Sequence, residues 1–207
     1  MAPALDANPL DAHSRAMRFL FIVPLLWLAV PAQAETGCED VWFTRNLIMD
    51  RAGYCFDSAL GQALFDNSDC IGKQVQPDPY YRPVINEILR LEVEHACRID
   101  TNRQWLDMDD INFRRVLTDF PVRDEFEGGC LGWTGPQTPL YDGHHEPFRA
   151  IGQVGPGDYV HFAHYAVQGA GEAGWRYVTV HAPVWGPFKS AGWMYWPGEE
   201  PCADYAG

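Results

Sequence analysis

Basic side chains are scarce in this chain of 207 residues, which carries 15 lysines and arginines against 28 acids and a net charge of −13. That balance argues against nucleic acid as a partner, because phosphate binding needs a basic face. Long apolar runs are missing too. The longest, Phe19 to Pro31 (FLFIVPLLWLAVP), would reach only about 20 Å as a helix, short of a hydrocarbon core about 30 Å thick. Absent as well are GxSxG, HExxH, the P-loop, the dinucleotide glycine pattern, a cysteine-peptidase signature and the CxxC spacing of zinc sites. No cofactor and no metal are therefore expected, and enzyme activity has little support.

What is present begins with an address. Arg15 and Arg18 precede the apolar run and Ala32-Gln33-Ala34 follows it, which is the pattern of a secretory signal peptide over residues 1–34, cleaved after Ala34. Met17 can serve as an alternative start. A lipid anchor at Cys38 is disfavoured, because Glu35 stands three positions before it where an apolar residue is needed. Losing Asp6, Asp11, Arg15 and Arg18 with the leader keeps the net charge at −13. Export puts Cys38, Cys55, Cys70, Cys97, Cys130 and Cys202 in an oxidising setting, periplasmic or secreted, where an even count reads as disulfides. Six cysteines allow about fifteen pairings, and spacing alone leaves them open.

Residues 35–127 read as helical. Val41, Leu47, Ile48 and Ala52 fall on helical spacing, with Gly53 placed to end the helix in a left-handed conformation. Asp57-Ser58 offers an N-cap to a short helix carrying Leu60, Leu64 and Phe65, and the polar stretch from Asn67 to Tyr80, with Pro77 and Pro79, reads as loop. Ile85, Ile88, Leu89, Val93, Ala96 and Cys97 keep one helical stripe, with Pro83 in its first turn. Asp109 or Asp110 can cap a fourth helix through Ile111, Val116 and Leu117, ending before Pro121. Beyond Gly128-Gly129 the pattern changes to alternating runs such as DYVHFAHYAV and GWRYVTVHAPV, which are strand-like.

Most charged candidates have a structural explanation. Cys55 has no histidine near it in sequence, and Arg45, Asp50, Arg51 and Asp57 are spaced for helix-end and ion-pair contacts. Glu92/Glu94 and Asp109/Asp110 read as a solvated face and a cap. His161 and His164 sit three apart on a strand, so alternation points them to opposite faces, and with His144, His145 and His181 they are expected to be solvated rather than metal ligands. The aromatic residues are the better lead, because 14 of the last 80 residues are Phe, Trp or Tyr. Rigid, half-polar rings beside glycine-rich loops suit sugars and peptides.

Arg45-Asn46, Arg51, Gly53-Tyr54, Phe56 and Ser58 resemble the YARHG motif region, with Met49, Asp50 and Ala52 in place of its tyrosine, alanine and histidine. The chain as a whole is similar to DUF4453, an uncharacterised bacterial family with a RAG motif, here Arg51-Ala52-Gly53. The YARHG likeness covers roughly 35 residues and implies a small extracellular domain. Cys55 and Cys70 both stand where the template has other residues, which implies a bond between them; Cys38 then joins Cys97, and Cys130 joins Cys202. The second half resembles an SH3b barrel through Pro139-Leu140-Tyr141 as its opening strand, the Gly155-Pro156-Gly157-Asp158 turn, Gly174-Trp175-Arg176-Tyr177-Val178 and Ala191-Gly192-Trp193-Met194. That resemblance implies association with peptidoglycan.

The resulting expectation is an α+β chain: a small disulfide-stapled helical domain over 35–127, then an SH3b-like β-barrel over 128–207. Its function is expected to be non-catalytic binding of peptidoglycan or an envelope protein through Tyr141, Trp175, Trp193, Tyr195 and Trp196. The alternative is an adaptor or inhibitor of a periplasmic enzyme acting through the helical domain. A hydrolase reading would require a cleft lined by an acid or histidine with a strongly shifted pKa. No membrane span is expected once the signal is removed.

Overall fold

The computed structural model describes residues 35–167, 174–183, 186–196, 198–199 and 201–207. The signal segment expected over 1–34, with its start at Met17, lies outside them. Four helices come first: α1 (Glu35–Arg51), α2 (Ala59–Leu64), α3 (Arg82–Glu94) and the single turn α4 (Ile111–Arg114). Seven strands follow: β1 (Val122–Trp133), β2 (Thr138–Tyr141), β3 (Ala150–Val154), β4 (Tyr159–Tyr165), β5 (Trp175–His181), β6 (Phe188–Tyr195) and β7 (Cys202–Ala206). Among the described residues, no helix is long and apolar enough to cross a membrane.

Local chemistry sets the helix ends. Gly53, at φ +84°, turns the chain out of α1, and Ser58 Oγ accepts from the Gly61 N–H to start α2. Pro83 lies in the first turn of α3, where its missing N–H costs nothing. The stripe that continues to Cys97 nonetheless stops being helical at Glu94. Ala96 takes the left-handed φ of +48°, and Cys97 turns back to bond Cys38 at the opening of α1. Asp110 stands at the N-cap position of α4 without capping it, because its carboxylate is held by Arg114 and Tyr177. That helix ends at Arg114, short of the expected Leu117.

The strands form one antiparallel sheet in the order β3-β2-β6-β5-β4-β1-β7. It is open, not the closed barrel expected from the sequence. Closure would need the two outer strands to pair, but among the described residues β3 is bonded to β2 and β7 to β1, and not to each other. The first strand is also earlier than Pro139–Tyr141, which belongs to β2. The expected boundary at Glu127/Gly128 falls inside β1, where the ladder with β4 shifts register between Arg123 and Gly128. The last strand pairs with β1, with Trp133 opposite Cys202, and not with the Pro139–Tyr141 strand expected to open the barrel.

Alternation along the strands divides the apolar residues between two cores. Val178, Val180 and Met194 join Trp133, Leu140 and Val160 in one. Tyr177 and Trp193, one residue out of step, join Phe43, Ile48, Leu60, Ile88 and Leu117 in the other. The helices and one face of the sheet therefore share a core, and the described residues form one compact unit.

Candidate functional site

The helix-facing side of the sheet carries more rings than the helices cover. Trp175 lies opposite Tyr195 in the β5–β6 ladder, one alternation step beyond the buried pair Tyr177 and Trp193. Trp175 packs with Tyr141 at 5.9 Å between centroids, with Phe148 at 5.0 Å and with Tyr195 at 5.3 Å. Phe148 is 40% exposed and Tyr195 49%, so the cluster is anchored on the core and open on its outer side. Three of the five expected ligand residues thus come together, and the sequence reading missed Phe148 as a fourth member.

Two of the five are placed elsewhere. Trp193 is fully buried and donates its indole N–H to the Asp119 carbonyl at 2.8 Å, so it has no face to offer a ligand. The reason is the helical half, whose final turn packs over β6. Trp196 leans edge-on against Trp133 at 5.3 Å, in the other core.

A second feature is a cleft of about 310 Å³ between the loop before α4 and strands β4 and β5, lined by Asp109, Arg123, Glu127, His161, His164 and His181 among others. His161 and His164 line it together despite their odd spacing. The register jump in β1 sets residues 124–127 against Ala163 alone and opens the ladder between them. At its floor Arg114 donates to both Asp40 carboxylate oxygens (2.9 and 2.6 Å), to Asp110 Oδ2 (2.8 Å) and to Thr44 Oγ1 (2.8 Å). Tyr177 donates to Asp110 at 2.8 Å, and His164 Nε2 lies 2.7 Å from Asp40 Oδ2. The network joins α1, α4, β4 and β5.

These contacts set the charge states. Burial alone would raise the Asp40 pKa, but Arg114 and His164 hold it well below the usual carboxylate range. Burial lowers that of His164 against the pull of Asp40, and burial with Arg123 and His164 nearby pushes His161 down to about 4. Both imidazoles are neutral at pH 7. An unfolded histidine titrates near 6.5, so below about that pH the unfolded chain takes up protons that the folded chain refuses. Stability is thus expected to fall as pH drops from about 6.5 towards 4. The Asp40 pairing contributes above the unfolded carboxylate pKa and is lost only at lower pH. Urea melts at stepped pH check this, and His161→Gln should flatten the slope between pH 6 and 4.5.

A third group lies on the turn before β1 and the β2–β3 connection. Asp119, His144 and His145 bring ligand atoms within 4.8 Å of one another, and they are the one such group of His, Cys, Asp and Glu among the described residues. The sequence reading missed Asp119, for which no spacing signal exists.

With this geometry in place, the chain can be compared with known families. A family model described as Domain of unknown function (DUF4453) matches residues 96–207, and one described as YARHG domain matches residues 26–94. The chain belongs to the DUF4453 family. No curated protein and no solved structure matches it.

In this DUF4453 protein the YARHG motif residues hold the fold together. Arg45 pairs with Glu92 of α3 through Nε and Nη2, at 3.0 and 2.9 Å. Asn46 donates to the Trp42 carbonyl at 2.7 Å. Arg51 donates to the Arg115 carbonyl at 3.0 Å and lies over the Phe120 ring, clamping α1 to the segment after α4. Tyr54 meets Phe56 edge-on, and Phe56 stacks on Phe65. The disulfides are Cys38–Cys97, Cys55–Cys70 and Cys130–Cys202, the three pairs that the family resemblance implied. They fit folding in an oxidising compartment.

Proposed function

We propose that this DUF4453 protein is an exported, non-catalytic envelope protein, periplasmic or secreted, that binds peptidoglycan through the ring patch of Tyr141, Phe148, Trp175 and Tyr195. The observation that carries this reading is the patch itself: four touching rings, anchored on the core and open outward. Such a surface loses little side-chain entropy on binding and offers flat apolar faces beside a phenol hydroxyl, which suits sugar rings and short peptides. The SH3b resemblance, which lies in sequence motifs and not in a closed barrel, suggests the same ligand class by analogy. The test is co-sedimentation with isolated sacculi. Wild-type protein should pellet saturably, and Trp175→Ala or Tyr195→Ala should weaken binding about tenfold or more, the range of an interface hot spot. Protein that stays in the supernatant, or variants that pellet like wild type, would end the proposal.

A second reading, hydrolysis in the cleft, rests on His161, an imidazole neutral at pH 7 that lies 3.6 Å from Glu127 and opposite Thr179. It expects turnover of wall fragments that disappears in His161→Gln while sacculus binding persists. The non-catalytic reading stands ahead of it because Arg114, Asp40, Asp110 and His164 are bonded to one another.

A further inference from the structure

The group at Asp119 has the geometry of a metal site. His145 Nδ1 lies 3.1 Å from Asp119 Oδ1, and His144 Nε2 lies 3.8 Å from the same oxygen. Around a tetrahedral ion with N and O ligands near 2.0–2.2 Å, neighbouring donor atoms stand roughly 3.3 Å apart. Both separations lie within about 0.5 Å of that value, and the ligand atoms of all three residues lie within 4.8 Å of one another, so side-chain rotations would bring them onto one ion.

The carboxylate is held in place from behind. Its Oδ2 accepts the backbone N–H of His144 at 2.8 Å, and the Asp119 carbonyl accepts the Trp193 indole at 2.8 Å. Gly143 presses the loop against the same residue, since a Cβ there would stand 2.1 Å from Thr118 Oγ1 and 2.4 Å from Asp119 Oδ2. Supports of this kind fix ligand orientation in metal sites. On the open side, the Tyr80 hydroxyl bonds Oδ1 and lies 2.9 Å from His145 Nδ1. The His145 side chain is 57% exposed, which gives an ion a way in.

We propose that Asp119, His144 and His145 bind a divalent transition-metal ion of the zinc class, the ion taking the place of the Tyr80 hydroxyl on Oδ1. Two imidazoles and one carboxylate form a borderline donor set that suits zinc and its neighbours, whereas magnesium and calcium favour oxygen cages. Three protein ligands leave a fourth position for water or an oxygen of a bound molecule. The loop that carries both histidines also carries Phe148 of the ring patch, so metal binding would stiffen that side of the patch. The site does not depend on the patch being a ligand face.

Calorimetric titration of the purified mature chain with Zn²⁺ tests the proposal, with Mg²⁺ in parallel. One equivalent of Zn²⁺ should bind and Mg²⁺ should not. His145→Ala, at an exposed position, should fold normally by circular dichroism and bind about tenfold more weakly or worse. Asp119→Asn should also weaken binding, Tyr80→Phe should bind at least as tightly as wild type, and His95→Ala should leave binding unchanged. X-ray absorption of the zinc-loaded protein should show two imidazoles. Absence of saturable Zn²⁺ binding, equal binding of Mg²⁺, or a His145→Ala variant that binds like wild type would overturn the proposal.

Discussion

Replacing Arg114 with methionine is expected to destabilise the protein by about 3–5 kcal/mol, the cost of removing one partner from a buried ionic group. Arg114 is 1% exposed, and its guanidinium is the cation that Asp40 and Asp110 both bond. Without it two carboxylates face each other in the core with Thr44, Tyr177 and a neutral His164 as partners. They must either take up protons or admit water. At about 2–4 °C per kcal/mol for a chain of this size, the midpoint of thermal unfolding should drop by about 6–20 °C. The effect should shrink in acid, where protonation relieves the unpaired carboxylates. A triple variant, Arg114→Met with Asp40→Asn and Asp110→Asn, should recover much of the loss, because taking out the whole charged group is far cheaper than orphaning part of it. Thermal melts of the wild type, the single variant and the triple variant at pH 7 and pH 5 check each step. The network joins α1 and α4 to β4 and β5, so the single variant should also loosen the helices from the sheet.

This network shows where reading the sequence reached its limit. Gly53 as a helix end, Ser58 as a cap and the core positions Val41, Leu47 and Ile48 of α1 follow from local rules and appear where those rules put them, whereas in α3 the buried residues are Val84, Ile88 and Leu91, and Leu89 and Val93 of the expected stripe are exposed. Asp40, Arg114, His164 and Tyr177 span more than a hundred positions, and nothing in NFRR says which of its two arginines will be buried. Strand β1 was hidden for a different reason. Its opening, VRDEFE, is too charged to alternate cleanly, because Arg123 and Glu127 face the acidic cleft and not an apolar core. Missing that strand led to the barrel, since with Pro139–Tyr141 as the opening strand the last strand has to close against it, whereas it pairs with β1. The ring patch was partly legible. Of the residues expected at a ligand face, Tyr141, Trp175 and Tyr195 lie in the patch, but whether Trp193 is covered depends on the helical half packing over β6.

Removing the Cys130–Cys202 bond by replacing both cysteines with alanine is expected to cost about 4 kcal/mol, the chain-entropy value for a bridge across 72 positions. The Cys55–Cys70 bridge spans 15 positions and should be worth about 3 kcal/mol on the same basis. The larger bridge has a local consequence as well. Strand β7 buries little: Ala203, Asp204 and Tyr205 are exposed, and among the described residues its only ladder is with β1. The disulfide is therefore expected to supply much of what keeps β7 docked. In the double variant β7 should open well before the rest of the fold, so the amides of Ala203–Ala206 should lose hydrogen-exchange protection while those of β5 and β6 keep theirs. Opening β7 would uncover an edge of β1 from Gly129 to Trp133, the kind of unpaired strand that invites pairing with a second chain. The double variant should therefore show concentration-dependent association on size exclusion that wild type lacks. If β7 stays protected and the variant stays monomeric, backbone pairing alone holds the last strand, and the bridge acts only on the unfolded chain.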